Sequence, residues 1–175
     1  MWKSLFGGKK GQAAAFDVGG NKELLTISVL VDVPAEQAFV AFVEGINVWW
    51  PRDQTWSKDA LEEIGIERRM NGRCYERNKD GAELVWGTVL AYSPPQHLVL
   101  AWQISPDRQP VENEATASRI DVRFSPQEDG GTAVLIVHRD FPRHGDGWEN
   151  YRQVMAGNDG WPALLSAYRS SVAGD

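Results

Sequence analysis

His138 is the side chain whose type and position in this sequence are best suited to chemistry. The alternating pattern of residues 132–140 predicts a strand in which Val134, Ile136 and His138 share the buried face. An imidazole on that face could hold a polar group of a ligand or act as a general acid or base. The alternative is a core histidine that is hydrogen-bonded to the backbone or to Tyr151. We expect this second arrangement, because buried polar groups are nearly always paired.

Tryptophan is abundant, with eight residues in a chain of 175. Indole rings fill protein cores, and they also line pockets for hydrophobic molecules. Trp102 alternates with Leu98 and Leu100, which places it on the buried face of its strand. The strand around Trp86 is apolar on both faces, so the direction of that ring stays undecided, as does the choice between core packing and ligand contact. The predicted ligand-binding residues are Trp50, Trp86, Trp102, His138, Tyr151 and Trp161.

The other reactive side chains form no recognisable catalytic or metal-binding set. Cys74 is the single cysteine, which excludes an intrachain disulfide and indicates a small buried residue rather than a nucleophile. The histidines lack the spacing of a zinc or facial-triad site, so we expect no metal and no cofactor. Glu67 and Glu76 flank a predicted turn, and we expect both to be exposed and to face neighbouring arginines rather than to form a catalytic pair. No catalytic residue is assigned.

The C-terminal stretch contains the helices that must position the candidate residues. Its apolar residues from position 161 onward repeat with helical spacing: Trp161, Leu164, Leu165 and Tyr168. Such a stripe predicts an amphipathic helix that needs a large apolar partner. A second apolar stripe begins at Trp148, and the turn-forming residues 157–159 separate the two. The sequence therefore predicts two helical pieces with a break between them.

The preceding residues predict an antiparallel sheet that could be this partner. A short helix is predicted after Pro34, which suits the first turn of a helix. The strands are predicted at residues 25–33, 64–70, 73–78, 84–92, 97–104, 118–124 and 132–140. This order indicates an α+β fold in which a curved antiparallel sheet of about seven strands wraps around a long C-terminal helix. We expect residues 1–22 to be a loosely ordered, flexible N-terminal arm and residues 23–173 to be a single domain.

The net charge and the distribution of apolar residues argue against nucleic acids as partners and against a membrane span. The net charge of −6 and the pI near 5.1 argue against a nucleic-acid partner. The chain contains no run of about 18 apolar residues, so we expect no membrane span. Its first residues lack the apolar region of a secretion signal, and a cytoplasmic location is expected.

Four segments of the sequence resemble a known family. They are PAEQAFVAFVEGINVWWP at residues 34–51, WGTVLAYSPPQHLVLAW at 86–102, GTAVLIVHRDF at 131–141 and GWPALL at 160–165. Their order and spacing are similar to the SRPBCC or START-like superfamily, which has the helix-grip fold, and within it to the bacterial branch named for activators of the heat-shock protein 90 ATPase. The resemblance covers residues 24–172.

The resemblance implies a cavity between the curved sheet and the C-terminal helix. In this superfamily such cavities hold lipids, sterols, polyketides or other hydrophobic molecules, at about 300–1,000 Å³ for a typical ligand pocket. We therefore expect a binding protein for a small hydrophobic molecule. Two alternatives stay open: a protein-interaction module whose partner is a chaperone, and an enzyme similar to polyketide cyclases with His138 as acid or base.

Overall fold

Eight antiparallel strands form one curled sheet in the computed structural model, which describes residues 13–16 and 20–173. The strands are β1 (Ala14–Phe16), β2 (Leu25–Val31), β3 (Leu61–Ile66), β4 (Arg73–Asn78), β5 (Glu83–Ser93), β6 (His97–Trp102), β7 (Ser118–Pro126) and β8 (Thr132–Arg139). Their order across the sheet is β1-β2-β8-β7-β6-β5-β4-β3. All neighbours except β2 and β8 are therefore consecutive in the chain, as in a meander.

Within the described part of the chain, four α-helices accompany the sheet. They are α1 (Ala35–Val43), α2 (Ile46–Trp49), α3 (Trp148–Ala156) and α4 (Trp161–Ala173). Pro34 precedes α1 in an extended conformation, which suits the start of a helix. Gly157 follows α3, and α4 begins four residues later, so the predicted break between two helical pieces is confirmed.

The sheet curls around α4, which contacts β2, α1 and α2. Leu165 and Tyr168 of α4 are fully buried, and the Tyr168 hydroxyl donates a hydrogen bond of 2.7 Å to the carbonyl oxygen of Ala38. The inward residues of β2 and β8 are also fully buried, because α4 covers them. The predicted α+β helix-grip architecture is thus confirmed, and the short helix after β2 is α1.

Two parts of the sheet differ from the sequence-based expectation. Strand β3 ends at Ile66 rather than at residue 70. Glu67 leaves the sheet because its carboxylate accepts a 2.8 Å hydrogen bond from the backbone N–H of Arg73, which closes a longer turn. The eighth strand, β1, pairs with β2 inside the segment that was expected to be an arm.

Residues 1–12 and 17–19 lie outside the described residues, and with them most of the expected arm. The domain boundary at residue 22 stays a prediction. Within residues 13–16 and 20–173, no helix is long and apolar enough to cross a lipid bilayer.

Candidate functional site

The predicted ligand-binding residues lie together on the inner side of the sheet, and we call them the aromatic cluster. Its members are Trp50 after α2, Trp86 in β5, Trp102 in β6, His138 in β8, Tyr151 in α3 and Trp161 in α4. Trp102 is central, with its ring centroid 5.9 Å from that of Trp86 and 5.6 Å from that of Trp161. The imidazole of His138 lies 5.7 Å from the Trp102 ring. Five separate elements therefore contribute to one continuous set of rings.

Trp50 is the most exposed member of the aromatic cluster. Its ring is half-buried, whereas the other five members are nearly fully buried. It stacks on Trp86 with an interplanar angle of 23° and a centroid distance of 5.9 Å. Trp50 is therefore the member of the aromatic cluster with the most contact with solvent.

A β-bulge decides the direction of Trp86, which the sequence pattern left undecided. On the neighbouring strand, Cys74 pairs with Gly87 and Tyr75 pairs with Val85, so Trp86 is an extra residue in β5. Bulges of this kind re-aim a side chain relative to the regular alternation. Trp86 consequently points inward and is 3% exposed.

The buried N–H and O–H groups of the aromatic cluster are paired, with one exception. Trp102 Nε1 donates to the Tyr151 hydroxyl at 2.7 Å, and this hydroxyl donates to the carbonyl oxygen of Ile104 at 2.9 Å. Burial raises the pKa of Tyr151 to about 12, so its hydroxyl stays protonated at neutral pH. The exception is Trp86, whose buried Nε1 has no partner among the described residues.

A directed chain of hydrogen bonds leads from Trp161 to the edge of the core. Trp161 Nε1 can only donate, and it does so to Nδ1 of His138 at 3.0 Å. The proton of the neutral imidazole is thereby assigned to Nε2, which donates to Ser118 Oγ at 2.7 Å. Ser118 in turn donates to Nε2 of His144 at 2.7 Å. The direction of every hydrogen bond in this chain is therefore defined, with His138 and Ser118 each accepting one bond and donating the next.

Both histidines of this hydrogen-bond chain, His138 and His144, are neutral at neutral pH. Burial lowers the pKa of His138 well below its usual value, and the neighbouring His144 lowers it further. Burial also lowers the pKa of His144 to about 4. Both ring nitrogens of His138 are engaged by protein groups, which is the expected core histidine, although its partners are Ser118 and Trp161 rather than the backbone or Tyr151.

Neither His144 nor Ser118 could be predicted from the sequence as a partner of His138. His144 lies beyond the end of β8, in the 3₁₀ turn Phe141–His144, where strand alternation predicts nothing. Asp140 precedes this turn in the left-handed conformation, with φ of 64°, and so folds the chain back towards β7. A non-glycine residue with positive φ is not recognisable from the sequence.

Glu67 faces neighbouring arginines as expected, although it is half-buried rather than exposed, and the expectation for Glu76 is wrong. Glu67 forms ion pairs with Arg69 and Arg73 at 3.1 and 2.9 Å. Glu76 points inward instead and is 1% exposed. Its Oε1 accepts hydrogen bonds from the backbone N–H and hydroxyl of Ser57 at 2.7 and 2.6 Å, so loop N–H and O–H groups replace the expected arginines.

Two loops lie beside the aromatic cluster and are joined to each other. Trp56 Nε1 donates to the carbonyl oxygen of Arg108 at 2.7 Å, and the Arg108 guanidinium donates to the carbonyl oxygen of Gln54 at 2.9 Å. Glu76 anchors the first of these loops through Ser57, as described above. The segment that follows Trp50 is thus fixed at several points.

Cys74 is fully buried, and burial raises the pKa of its thiol, so it stays protonated and inert at neutral pH. Among residues 13–16 and 20–173, no three His, Cys, Asp or Glu side chains are grouped so that they could hold a metal ion.

A cleft of about 200 Å³ lies away from the aromatic cluster, between the end of β2, the turn before β8 and α4. Its lining residues are Leu30, Val31, Asp32, Gln127, Asp129, Gly131, Thr132 and Arg169. None of the predicted ligand-binding residues contributes to it.

Tyr151→Phe is expected to lower the free energy of unfolding by about 1–3 kcal/mol, because it leaves Trp102 Nε1 and the Ile104 carbonyl without their partner. Urea denaturation of both proteins measures this difference. The stability losses of the single variants Tyr151→Phe and Trp102→Phe should sum to more than the loss measured for the double variant, which lacks both the hydroxyl and the N–H. Strict additivity would contradict a coupled pair.

Comparisons with known proteins place the chain among relatives of the same architecture. The family model described as "Activator of Hsp90 ATPase homolog 1-like protein" matches residues 32–167. A search of curated proteins gave no match.

Solved structures give several matches over most of the chain. An anthrahydroquinone-γ-pyrone synthase, Txn09, is 33% identical, with a TM-score of 0.60, and the match covers 85% of this chain and 97% of that one. The self-sacrificing resistance protein CalC from Micromonospora echinospora is 26% identical, with a TM-score of 0.60, covering 88% and 97%. A protein of Nitrosomonas europaea shares the fold at 13% identity, with a TM-score of 0.62 and coverage of 90% and 99%.

Proposed function

Since this chain belongs to the family of Activator of Hsp90 ATPase homolog 1-like proteins, we propose that it binds a small hydrophobic molecule between its curled sheet and its C-terminal helices. The observation that carries this proposal is the aromatic cluster, in which edge, tilted and stacked ring contacts and one hydrogen bond join residues from five elements. The half-buried Trp50 ring is the member through which a ligand would enter.

The chemistry of the aromatic cluster favours an aromatic or lipid-like ligand over a polar one. Its rings offer large apolar surfaces, and stacking on such rings contributes beyond simple burial. His138 and Tyr151 have their polar atoms engaged within the protein. The relative named as a synthase of an anthrahydroquinone-γ-pyrone, a polycyclic aromatic compound, supports the same class of ligand.

The protein is expected to retain a compound during native mass spectrometry after exposure to pools of lipids and aromatic metabolites. Such a compound should raise the melting temperature, since a ligand at 100 times its Kd stabilises the folded state by about 2.7 kcal/mol. Trp50→Ala should raise the affinity at least about fivefold, because the ligand then no longer has to displace the ring that stacks on Trp86.

Val48→Ala is the matched control, since Val48 lies two residues away and is 80% exposed. It should leave the affinity unchanged. If no compound is retained and none raises the melting temperature, the proposed function is wrong.

A polyketide-cyclase-like enzyme is the second candidate, favoured by the synthase among the relatives. His138 would not be its acid or base, because both ring nitrogens are already hydrogen-bonded in the core. Such an enzyme would act mainly by holding a flexible substrate in a reactive conformation. Conversion of a retained aromatic polyketide to a new product, faster than in buffer, would favour this candidate.

A chaperone partner is the third candidate, and the description of the family favours it. It predicts that the protein stimulates the ATPase of a bacterial heat-shock protein 90. No stimulation at saturating protein would exclude it. We expect the protein to bind its ligand, substrate or chaperone in the cytoplasm, the location that the sequence predicts.

A further inference from the structure

The indole N–H of Trp86 is the one polar group of the aromatic cluster that is buried without a partner. The other deeply buried tryptophans provide the comparison within the same molecule. Trp49 Nε1 donates to the carbonyl oxygen of Phe42 at 3.0 Å. Trp102 and Trp161 donate to Tyr151 and His138, as described above. Trp86 is as buried as these three, yet its N–H donates to nothing in the described residues.

An unpaired buried donor is unfavourable, and native proteins contain few of them. The fold does not place Trp86 inward by regular alternation. It uses a bulge with one extra residue, and the rings of Trp50 and Trp102 then enclose the indole. Bulges are frequent next to functional sites, so a buried donor without a partner beside one is a candidate contact for a ligand.

The neighbours of Trp86 define what could satisfy its N–H. The rings packed against it belong to Trp50 and Trp102, and neither offers an oxygen or nitrogen acceptor. Neither ring can therefore accept from Nε1, and a ligand oxygen at the edge of the indole would satisfy it. No member of the aromatic cluster carries a charge at neutral pH, and the inward-facing Glu76 on the adjacent strand already has its partners. A neutral ligand fits this environment, because a buried charge would stay unpaired.

Trp50 covers the position at which a ligand would enter the aromatic cluster. It is half-buried, and its ring lies nearly parallel to that of Trp86. When the Trp50 side chain swings towards solvent, one face of Trp86 is uncovered. A planar aromatic ring can then enter beside Trp86 with its oxygen in the plane of the indole, because the Nε1–H bond lies in that plane and a ring stacked on the indole face could not accept from it.

We propose that Trp86 Nε1 is the hydrogen-bond donor that selects the ligand, and that the ligand is a neutral, planar aromatic compound with a carbonyl or quinone oxygen. This inference rests on the proposed function, since it names the class of molecule that the aromatic cluster binds. Trp50 is the ring that this molecule displaces.

The test uses two probes of the same shape, 9-fluorenone, which has a carbonyl oxygen, and fluorene, which lacks it. The wild-type protein should bind fluorenone about tenfold more tightly, the usual effect of one buried hydrogen bond. Fluorenone should also shift the indole ¹H–¹⁵N resonance of Trp86 downfield, whereas fluorene should not. Trp86→Phe keeps an aromatic ring without the N–H and should bind both probes equally.

Trp49→Phe is the matched control, since it removes an indole N–H that already has a partner, and it should keep the preference for fluorenone. If Trp86→Phe does not fold, the resonance shift in the wild-type protein decides the question. Equal binding of both probes, or a preference that survives Trp86→Phe, overturns the inference and leaves the proposed function intact. If neither probe binds and the lipid and metabolite pools also yield nothing, the inference and the proposed function both fail.

Discussion

Trp161→Ala is expected to lower the free energy of unfolding by about 3–5 kcal/mol, the cost of replacing a large aromatic side chain in a core by alanine. Trp161 is the first residue of α4 and is 2% exposed. Its ring contacts those of Trp102 and His138, and its N–H holds Nδ1 of His138. The variant would leave both a cavity and an unpaired acceptor. Since domains are stable by only about 5–15 kcal/mol, this is a large fraction of the total.

Two further variants separate these contributions. Trp161→Phe keeps most of the ring and removes the N–H, so it should cost less than the alanine variant, with about 1–3 kcal/mol for the lost hydrogen bond. Val154→Ala in α3 serves as the control, because Val154 is 58% exposed and should change the stability by less than about 0.5 kcal/mol. Urea denaturation gives all three values. A loss of under about 1 kcal/mol for Trp161→Ala would contradict the central position assigned to this residue.

The fold could be predicted from the sequence because its elements have strong local periodicities. The helical spacing of Trp161, Leu164 and Leu165 reports directly which face α4 buries. Strand alternation did the same for His138, which is fully buried on the predicted face. Both signals depend on residues close together in the chain, where the backbone alone determines which side chains share a face.

The parts that could not be predicted depend on irregular backbone or on contacts between distant segments. The direction of the Trp86 side chain is decided by a β-bulge, and the neighbouring residue types do not show where the extra residue lies. Glu76 has the alternation of an inward residue, but its acceptance of N–H and O–H groups from Ser57 required knowledge of where that loop folds. A sequence pattern reports burial tendency, whereas these arrangements are properties of the assembled core.

The bonds between Ser118, His138 and His144 lead to the second large effect, a loss of stability in acid. In the unfolded chain an imidazole has a pKa near 6.5. In the folded protein the pKa of His138 is lowered well below that value and the pKa of His144 is lowered to about 4, chiefly by burial. Between pH 6.5 and about 4 the unfolded state therefore binds more protons than the folded state. The stabilisation is fully present above pH 6.5 and is lost as the pH falls through this range.

The expected slope follows from the number of protons involved. Each histidine that is neutral when folded and charged when unfolded contributes up to about 1.4 kcal/mol per pH unit. His144 will contribute less than this limit, because it is only partly buried and water screens its charge. Together the two histidines should cost a few kcal/mol between pH 7 and pH 4.5. Urea denaturation at a series of pH values measures the slope.

His144→Gln tests whether this chain of hydrogen bonds is the cause. Glutamine has a carbonyl oxygen that can accept from Ser118 and does not titrate, so the variant should show a shallower pH dependence than the wild-type protein. His97→Gln controls for the loss of a histidine elsewhere, since His97 contacts Asp121 on the other face of the sheet. A slope that His144→Gln leaves unchanged would mean that acid acts elsewhere. Burial is the main cause of the lowered pKa values, and hydrogen-bond direction acts in the same sense. Protonated His144 would present an N–H to the backbone N–H of Ser118, so that two donors would face each other.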